Sequence, residues 1–383
     1  MGEVRRAAVI GAGIGGLTAA LALARRGCEV VLFERAPELG EVGAGLQLGP
    51  NGMKVMAALG IADAVRAAGV VPEMVELRDH DAGRPLMRLP MGAAADARWG
   101  APMVNLHRAD LVEVLAAAVK EAGVELRLGR EITAGGTVQG EVEGKAFDIV
   151  VGADGIRSTL RAEIGQGSLP RYTGHVAWRA LVTRDPAEPA VTALTLGPDR
   201  HLVTYALRGG TLANVVAVAR RADWRGEGWF EEDDPDTLRA TFAGWNDAAE
   251  ALLARVEQTW LWGLFDHAPL PRWHLGRLVL LGDACHPMLP FLAQGATQAV
   301  EDAWVLADAV GAEGLNGLET YAARRIDRAT RVQRAAVAQG RLDHLGGLVR
   351  PVVQLGMRTV GAVTPGFAAR RFDWLYGHDV TAG

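Results

Sequence analysis

"LVLLGDACHPMLPFLAQGATQAVEDA", residues 278–303, is the stretch on which the reading of this 383-residue chain turns. Its four leading apolar residues, 278–281, suit a strand buried on both faces. Asp283 then stands at the strand's carboxyl end, the rim where open α/β sheets bind ligands. Pro287 and Pro290 hold residues 287–293 out of a helix, because proline lacks an N–H and disfavours α conformation in the residue before it. A helix is therefore expected to open near Gly295 and Ala296, aiming free N–H groups and a positive dipole end at the same rim.

Two earlier stretches place Gly and sometimes Asp at the end of an apolar strand in the same way. "RAAVI", "GAGIGG", "LTAALALARRG" and "EVVLFE" read as strand, tight turn, helix and strand, a βαβ unit. Gly11, Gly13 and Gly16 have the spacing that lets a backbone turn tightly and approach a pyrophosphate at a helix N-terminus. Glu34 closes the following strand 23 positions after Gly11, where a carboxylate accepts hydrogen bonds from a ribose and disfavours a 2′-phosphate. Arg35 beside it is counted with the cofactor-binding residues. The bound nucleotide is thus FAD or NAD. The extended form, FAD, accounts for Asp283 as a partner of ribityl hydroxyls and for a helix tip at Gly295 and Ala296 facing the ring. The third strand end is Asp154 in "FDIVVGADGIRSTLR".

Composition sets outer limits. With 49% hydrophobic and 22% charged residues the chain is an ordinary globular protein. A formal net charge of −5 and a pI near 6.0 give no case for nucleic acid. Two cysteines, Cys28 and Cys285, lack zinc-ligand spacing, so no metal is expected, and they suit a reducing compartment. The N-terminus runs directly into a strand without a signal-like core, and no apolar segment reaches membrane-spanning length. The cytoplasm is the expected location.

The fold class expected is α/β: a Rossmann-like FAD-binding domain with a mainly parallel sheet, an interleaved, mostly antiparallel β substrate domain, and a C-terminal helical segment. The boundaries are 1–75, 101–170 and 270–330 for the first, 76–100 and 171–269 for the second, and 331–383 for the third. The alternation in "HLVTYALRGG" and "LANVVAVARR" supports the antiparallel part. It also puts His201 and Tyr205 on one strand face, about 13 Å apart. No second G-x-G-x-x-G occurs in a strand–helix setting, so a nicotinamide cofactor visits without a domain of its own.

Together "GAGIGG…FE", "LHRADL", "GADGIRS" and "GDACHPMLPFLAQGATQAVEDA" resemble the single-component FAD-dependent aromatic hydroxylases of the p-hydroxybenzoate hydroxylase fold, most closely the salicylate, 3-hydroxybenzoate and 6-hydroxynicotinate monooxygenase branch. The resemblance implies hydroxylation of a small hydroxylated aromatic acid with NADH or NADPH and O2, through a C4a-hydroperoxyflavin, in a homodimer. It implies that Arg108 contacts the flavin, that Asp154 lies near the pyrophosphate, and that Asp283 holds the ribityl chain. It also implies that His201 assists deprotonation of a ring hydroxyl and that Tyr205 orients the ring or its carboxylate. Trp178 and Arg179 also match, Arg179 as substrate-side residue or as brace of the domain junction. Gln47 is placed to reach flavin or substrate, Asn51 to cap a helix, and His286 reads as structural. Two alternatives stay open: the same chemistry on a larger phenolic or polyketide-like compound, and a non-catalytic flavin-binding sensor.

Overall fold

The computed structural model describes residues 3–40, 45–165, 170–224, 231–346, 349–363 and 365–382. The strand Arg6–Ile10, the helix Ile14–Ala24 and the strand Glu29–Phe33 form the βαβ unit read from the sequence. Arg6–Ile10 pairs in parallel with Glu29–Phe33 on one side and Ile149–Gly152 on the other. Leu278–Leu280 joins Ile149–Gly152 in parallel, Glu125–Arg127 joins Glu29–Phe33, and a short antiparallel strand, His274–Leu275, closes the edge. Because the strands ending at Ile10, Gly152 and Leu280 are adjacent and parallel, the turns that follow them share one rim of the sheet.

Continuous apolar runs form these strands because helices cover both faces. The helix Ile14–Ala24 packs so closely on the helix Gly295–Glu313 that a Cβ on Gly15 would lie 2.8 Å from Leu281 Cδ1 and 3.1 Å from Ala299 Cβ. Two readings of local structure need correction. The helix beginning at Pro50 takes Gly49 as its N-cap, with proline in the first helical position, so Asn51 lies inside the first turn and not at the cap. Residues 287–293 are kept from an α-helix, yet Pro290–Leu292 tighten into one turn of 3₁₀-helix, ending at Ala293 with φ +50°.

The second sheet has eight strands in the order Glu231–Asp233, Thr259–Asp266, Arg171–Thr183, Leu212–Arg220, Arg200–Leu207, Val191–Gly197, Met74–Asp79 and Pro85–Pro90. All neighbours are antiparallel except Val191–Gly197 with Met74–Asp79, a parallel pairing that carries the early excursion to the sheet edge. One face, with Trp178, Val215 and Leu261, packs on helices Pro235–Thr241 and Asp247–Ala254 through Leu238, Phe242 and Leu253. The other face is registered across strands: His201 lies level with Val218, Ala177 and Trp262, and Val203 with Val216 and Arg179. Tyr205, paired with Asn214, continues that face.

The long helix Gly317–Asp343 brings Arg325 beneath the tip of Gly295–Glu313. Its Nε donates to Asp302 Oδ1 at 2.7 Å, Nη1 to Glu301 Oε2 at 2.5 Å, and Nη2 to Gln298 Oε1 at 2.9 Å. Asp302 also accepts from His286 Nε2 at 2.5 Å and from the Gly282 N–H at 2.9 Å, while Glu301 accepts from Arg328 and Asn51. Arg325, Glu301 and Asp302 are at most 1% exposed. Against the cost of burial, Arg325 and its neighbours hold both carboxyls down at about 2.

Replacing Arg325 with Met leaves two buried carboxylates without the one cation that bonds both, and urea unfolding should show a loss of about 3–5 kcal/mol. The carboxyl values are depressed from 4.5 and 3.8, so their contribution is complete above those values and is lost as pH falls towards about 2. Denaturation midpoints of the native protein measured down that range should fall more steeply than those of Arg325→Met.

Candidate active site

The shared rim collects the residues expected to bind the cofactor. Gly11 has φ +101°, and a Cβ there would collide with the Ala153 carbonyl; a Cβ on Gly16 would collide with the Gly11 carbonyl. The chain's own backbone therefore demands both glycines. Gly13 differs, because nothing stands within 4 Å of where its Cβ would be. It is the N-cap of Ile14–Ala24, whose first turn has no side-chain cap, so unsatisfied N–H groups meet open space there. Glu34 accepts from the Ala12 N–H at 2.7 Å and the Ala36 N–H at 2.9 Å, one bond to each oxygen. It holds the glycine turn and keeps a further lone pair on each oxygen. Arg35 is exposed.

Asp154 leaves the neighbouring strand end. Its Oδ2 accepts from the Thr159 N–H at 2.9 Å, whereas Oδ1 is buried with no hydrogen-bond partner among the described residues. Asp283 and Arg108 both touch solvent, yet protein surrounds each. Burial raises the Asp283 carboxyl against the pull of His286, Arg108 and Arg161, and burial lowers Arg108 against the pull of Asp283. Both side chains thus reach solvent at the rim while the surrounding protein still desolvates them. Arg161 fixes the turn by donating to the Asp283 and Ala284 carbonyls, each at 2.6 Å.

The helix Gly295–Glu313 opens where the sequence places it, with no side-chain cap. A Cβ on Gly295 would stand 4.0 Å from Asp283 Oδ1, so Gly295, Ala296 and the carboxylate share one corner. An open glycine turn, an orphaned carboxylate oxygen, a wetted carboxylate and a bare helix tip along one rim fit an extended dinucleotide such as FAD.

His201 and Tyr205 lie on the inner face of the second sheet, as their spacing requires. The two rings have separate surroundings. Tyr205 stands against Gly45 and Asn214, and the Gly45 N–H donates to Asn214 Oδ1 at 2.9 Å, joining the rim's connecting strand to the sheet. Burial pushes the Tyr205 hydroxyl above its ordinary range, opposed by the Arg179 cation. Arg179 is held down to about 10 by burial, with Tyr205 opposing that shift and the Arg108 cation adding to it. Its guanidinium lies 4.3 Å over the Trp262 ring, and its Nε has no hydrogen-bond partner among the described residues. His201 instead meets His344, Nδ1 to Nε2 at 2.9 Å, and the edge of Phe291.

Gln47 is half-buried and engaged with neighbouring strands. Its amide donates to Asn105 Oδ1 at 3.1 Å, bracing the junction between the strand Gly45–Leu48 and Val104–His107. His286 is structural, bonded to Asp302. Sequence reasoning missed Arg325, Phe291 and His344. Arg325 sits in a helix of many exposed arginines, and His344 arrives from 143 residues beyond His201 with no local pattern to mark it.

Residues 5–336 match the family model described as FAD binding domain. The 3-amino-4-hydroxybenzoate 2-monooxygenase of Streptomyces platensis is 36% identical, over 98% of this chain and 96% of the relative. The 6-hydroxynicotinate 3-monooxygenase of Bordetella bronchiseptica is 37% identical, over 86% of this chain and 90% of the relative. Among solved structures, Klebsiella pneumoniae HpxO complexed with FAD and uric acid superposes with a TM-score of 0.82 at 26% identity, covering 97% of this chain and 96% of that one. With the rim, the cleft and the inner sheet face arranged as they are, the chain belongs to the FAD-binding-domain family and is an FAD-dependent aromatic monooxygenase.

Proposed function

We propose that the protein hydroxylates a small hydroxylated aromatic acid, or its N-heterocyclic analogue, at the expense of NAD(P)H and O2. The observation that carries this reading is Arg179. A largely desolvated guanidinium with an unpartnered Nε, on the same sheet face as His201 and Tyr205, suits a carboxylate that arrives with the ligand. The relatives named above act on a hydroxybenzoate and a hydroxynicotinate, both of which carry such a group.

In this reading Gly11, Gly13 and Gly16 form the pyrophosphate turn, and Glu34 takes a ribose hydroxyl with Arg35 beside it. Asp154 Oδ1 lies near the pyrophosphate, Asp283 takes the ribityl chain, and Arg108, Gly295 and Ala296 surround the ring end. When bound, FAD accepts a hydride from NAD(P)H and activates O2. The protein's own residues do the rest. Arg179 anchors the carboxylate, Tyr205 orients the ring, and Trp262 and Phe291 shield it from water. His201, whose imidazolium is disfavoured by burial and by His344 and His175, is the neutral base for the ring hydroxyl. Losing that proton enriches the ring in electrons where oxygen is to be transferred. The two sheets support a division into FAD-binding and substrate domains, with the boundaries read at 75/76 and 330/331 falling inside the strand Met74–Asp79 and the helix Gly317–Asp343. The cytoplasmic location, which rests on the two free cysteines, the N-terminal sequence and the lack of a membrane-length apolar segment, and the homodimer, which rests on the family resemblance, belong to the same reading. Among the described residues no helix is long and apolar enough to cross a membrane.

Anaerobic flavin reduction by NADH, followed with a panel of hydroxylated aromatic acids and their carboxamides, tests this function. An acid should accelerate reduction and yield hydroxylated product in air, and its amide should not; indifference to every acid refutes the proposal. Arg179→Gln should raise KM for the acid roughly 10–100-fold and narrow the acid-to-amide preference. Gly13→Ala should fold normally yet purify with little FAD, whereas Gly16→Ala should fail to fold, as circular dichroism and flavin absorbance would show.

A further inference from the structure

His344 stands one residue beyond the helix Gly317–Asp343 and touches His201 directly. Its Nδ1 lies 2.7 Å from the Gly340 carbonyl oxygen, which can only accept, so Nδ1 carries the hydrogen. Burial holds His344 down at about 4, so at neutral pH the ring has one proton and Nε2 is a bare acceptor. The 2.9 Å contact with His201 Nδ1 then requires the hydrogen on His201 Nδ1. His201 is neutral as well, and its remaining lone pair is on Nε2. The direction of every hydrogen bond in this line is thus fixed by a backbone carbonyl at one end.

The line is held stiffly. The His175 ring stacks on His344 with centroids 4.5 Å apart and planes at 25°. Phe291 presents a T-shaped contact to both His201 and His344, at 5.6 Å each. Gly340 admits that ring because any Cβ there would collide with it. The titratable and charged groups facing the pair are His175 on the strand Arg171–Thr183, Asp199 at the hairpin before Arg200–Leu207, and Arg220, which reaches His175.

We infer that His344 is a positioning residue for hydroxylation, fixing the ring plane and tautomer of His201 so that Nε2 presents the lone pair that takes the substrate's hydroxyl proton. The inference rests on the reading of His201 as the base. In the step it assists, the substrate O–H bond breaks, its electron pair stays on oxygen as the phenolate, and an Nε2–H bond forms. His201 becomes an imidazolium, and its Nδ1–H bond to His344 Nε2 becomes charge-assisted and stronger. His344 therefore favours the product of proton transfer over its reactant without touching the substrate.

The test uses FAD-loaded enzyme with 6-hydroxynicotinate and 3-amino-4-hydroxybenzoate as probes, reading the ultraviolet signature of the bound anion against pH. His344→Phe should retain FAD, yet shift formation of the bound anion upward by at least ~1 pH unit, a tenfold change in the proton equilibrium. His344→Gln, whose amide oxygen can accept the Nδ1–H, should recover part of that shift. A His344→Phe profile identical to the native one, with His201→Gln abolishing the anion, overturns the inference and leaves the base in place. If His201→Gln also leaves the anion signal intact, the base assignment itself fails. Imidazole nitrogen NMR of the native protein gives a reading independent of variant folding: His201 should carry its hydrogen on Nδ1, and an Nε2–H tautomer overturns the inference.

Discussion

Arg325 sets the constraint on which the site depends. Two adjacent carboxylates, Glu301 and Asp302, point inward from the second turn of the helix Gly295–Glu313, and one guanidinium bonds both, with Arg328 and His286 completing their partners. The consequence reaches the rim through Asp302, which accepts from His286 and from the Gly282 N–H on the turn that carries Asp283. Glu301 reaches Asn51, which also donates to Gln294, the residue just ahead of the helix. Helix tip, Asp283 turn and the helix Pro50–Ala58 are therefore fixed relative to one another by one charge cluster. Apolar packing would stabilise as well but would not specify the register of three backbone segments so narrowly.

With that corner fixed, the second sheet needs only to present its inner face at the right place. Gly45 does this from the rim side, with no room for a side chain between its backbone and Tyr205. Arg179 senses both Tyr205 and Arg108, so the two halves of the site meet electrostatically at the ring end of the cleft. From the far side, the 3₁₀ turn Pro290–Leu292 places Phe291 against His201 and His344. The prolines that delay the helix thus serve two purposes: they leave its tip bare and they build an aromatic wall.

The rim was legible in the sequence because each of its features is local. Gly11, Gly13 and Gly16, the strand closing at Glu34, and the Gly-Asp pairs after apolar runs are punctuation with a direct backbone cause. The strand bearing His201 and Tyr205 was legible through its alternation. What escaped was non-local. Arg325 looks like its surface neighbours until the helix is docked, and His344 gains meaning only when the end of the long helix meets the sheet. Asn51 failed for a related reason: a short polar side chain near a glycine-rich turn has several partners within reach, and tertiary contacts with Gln294 and Glu301 decided.

The inner face of the second sheet, proposed above to meet the substrate, combines features that would be unfavourable in a folded protein with no ligand. His201, His344 and His175 are all driven towards neutrality by burial, so none supplies a counterion to an anion. Arg179 keeps its charge at neutral pH even after burial lowers it, and among the described residues no carboxylate answers it. One cation and a set of neutral imidazoles make a face that attracts a single negative charge and provides a proton acceptor some distance from it. An aromatic acid with a ring hydroxyl has that pattern: a charge fixed at one end, and a proton to lose at the other. A phenol without the acid leaves Arg179 desolvated and unpaired, and a second carboxylate would meet Tyr205 or the imidazoles without compensation. On the proposed reading, selectivity for a monoacid would come as much from what the face refuses as from what it binds.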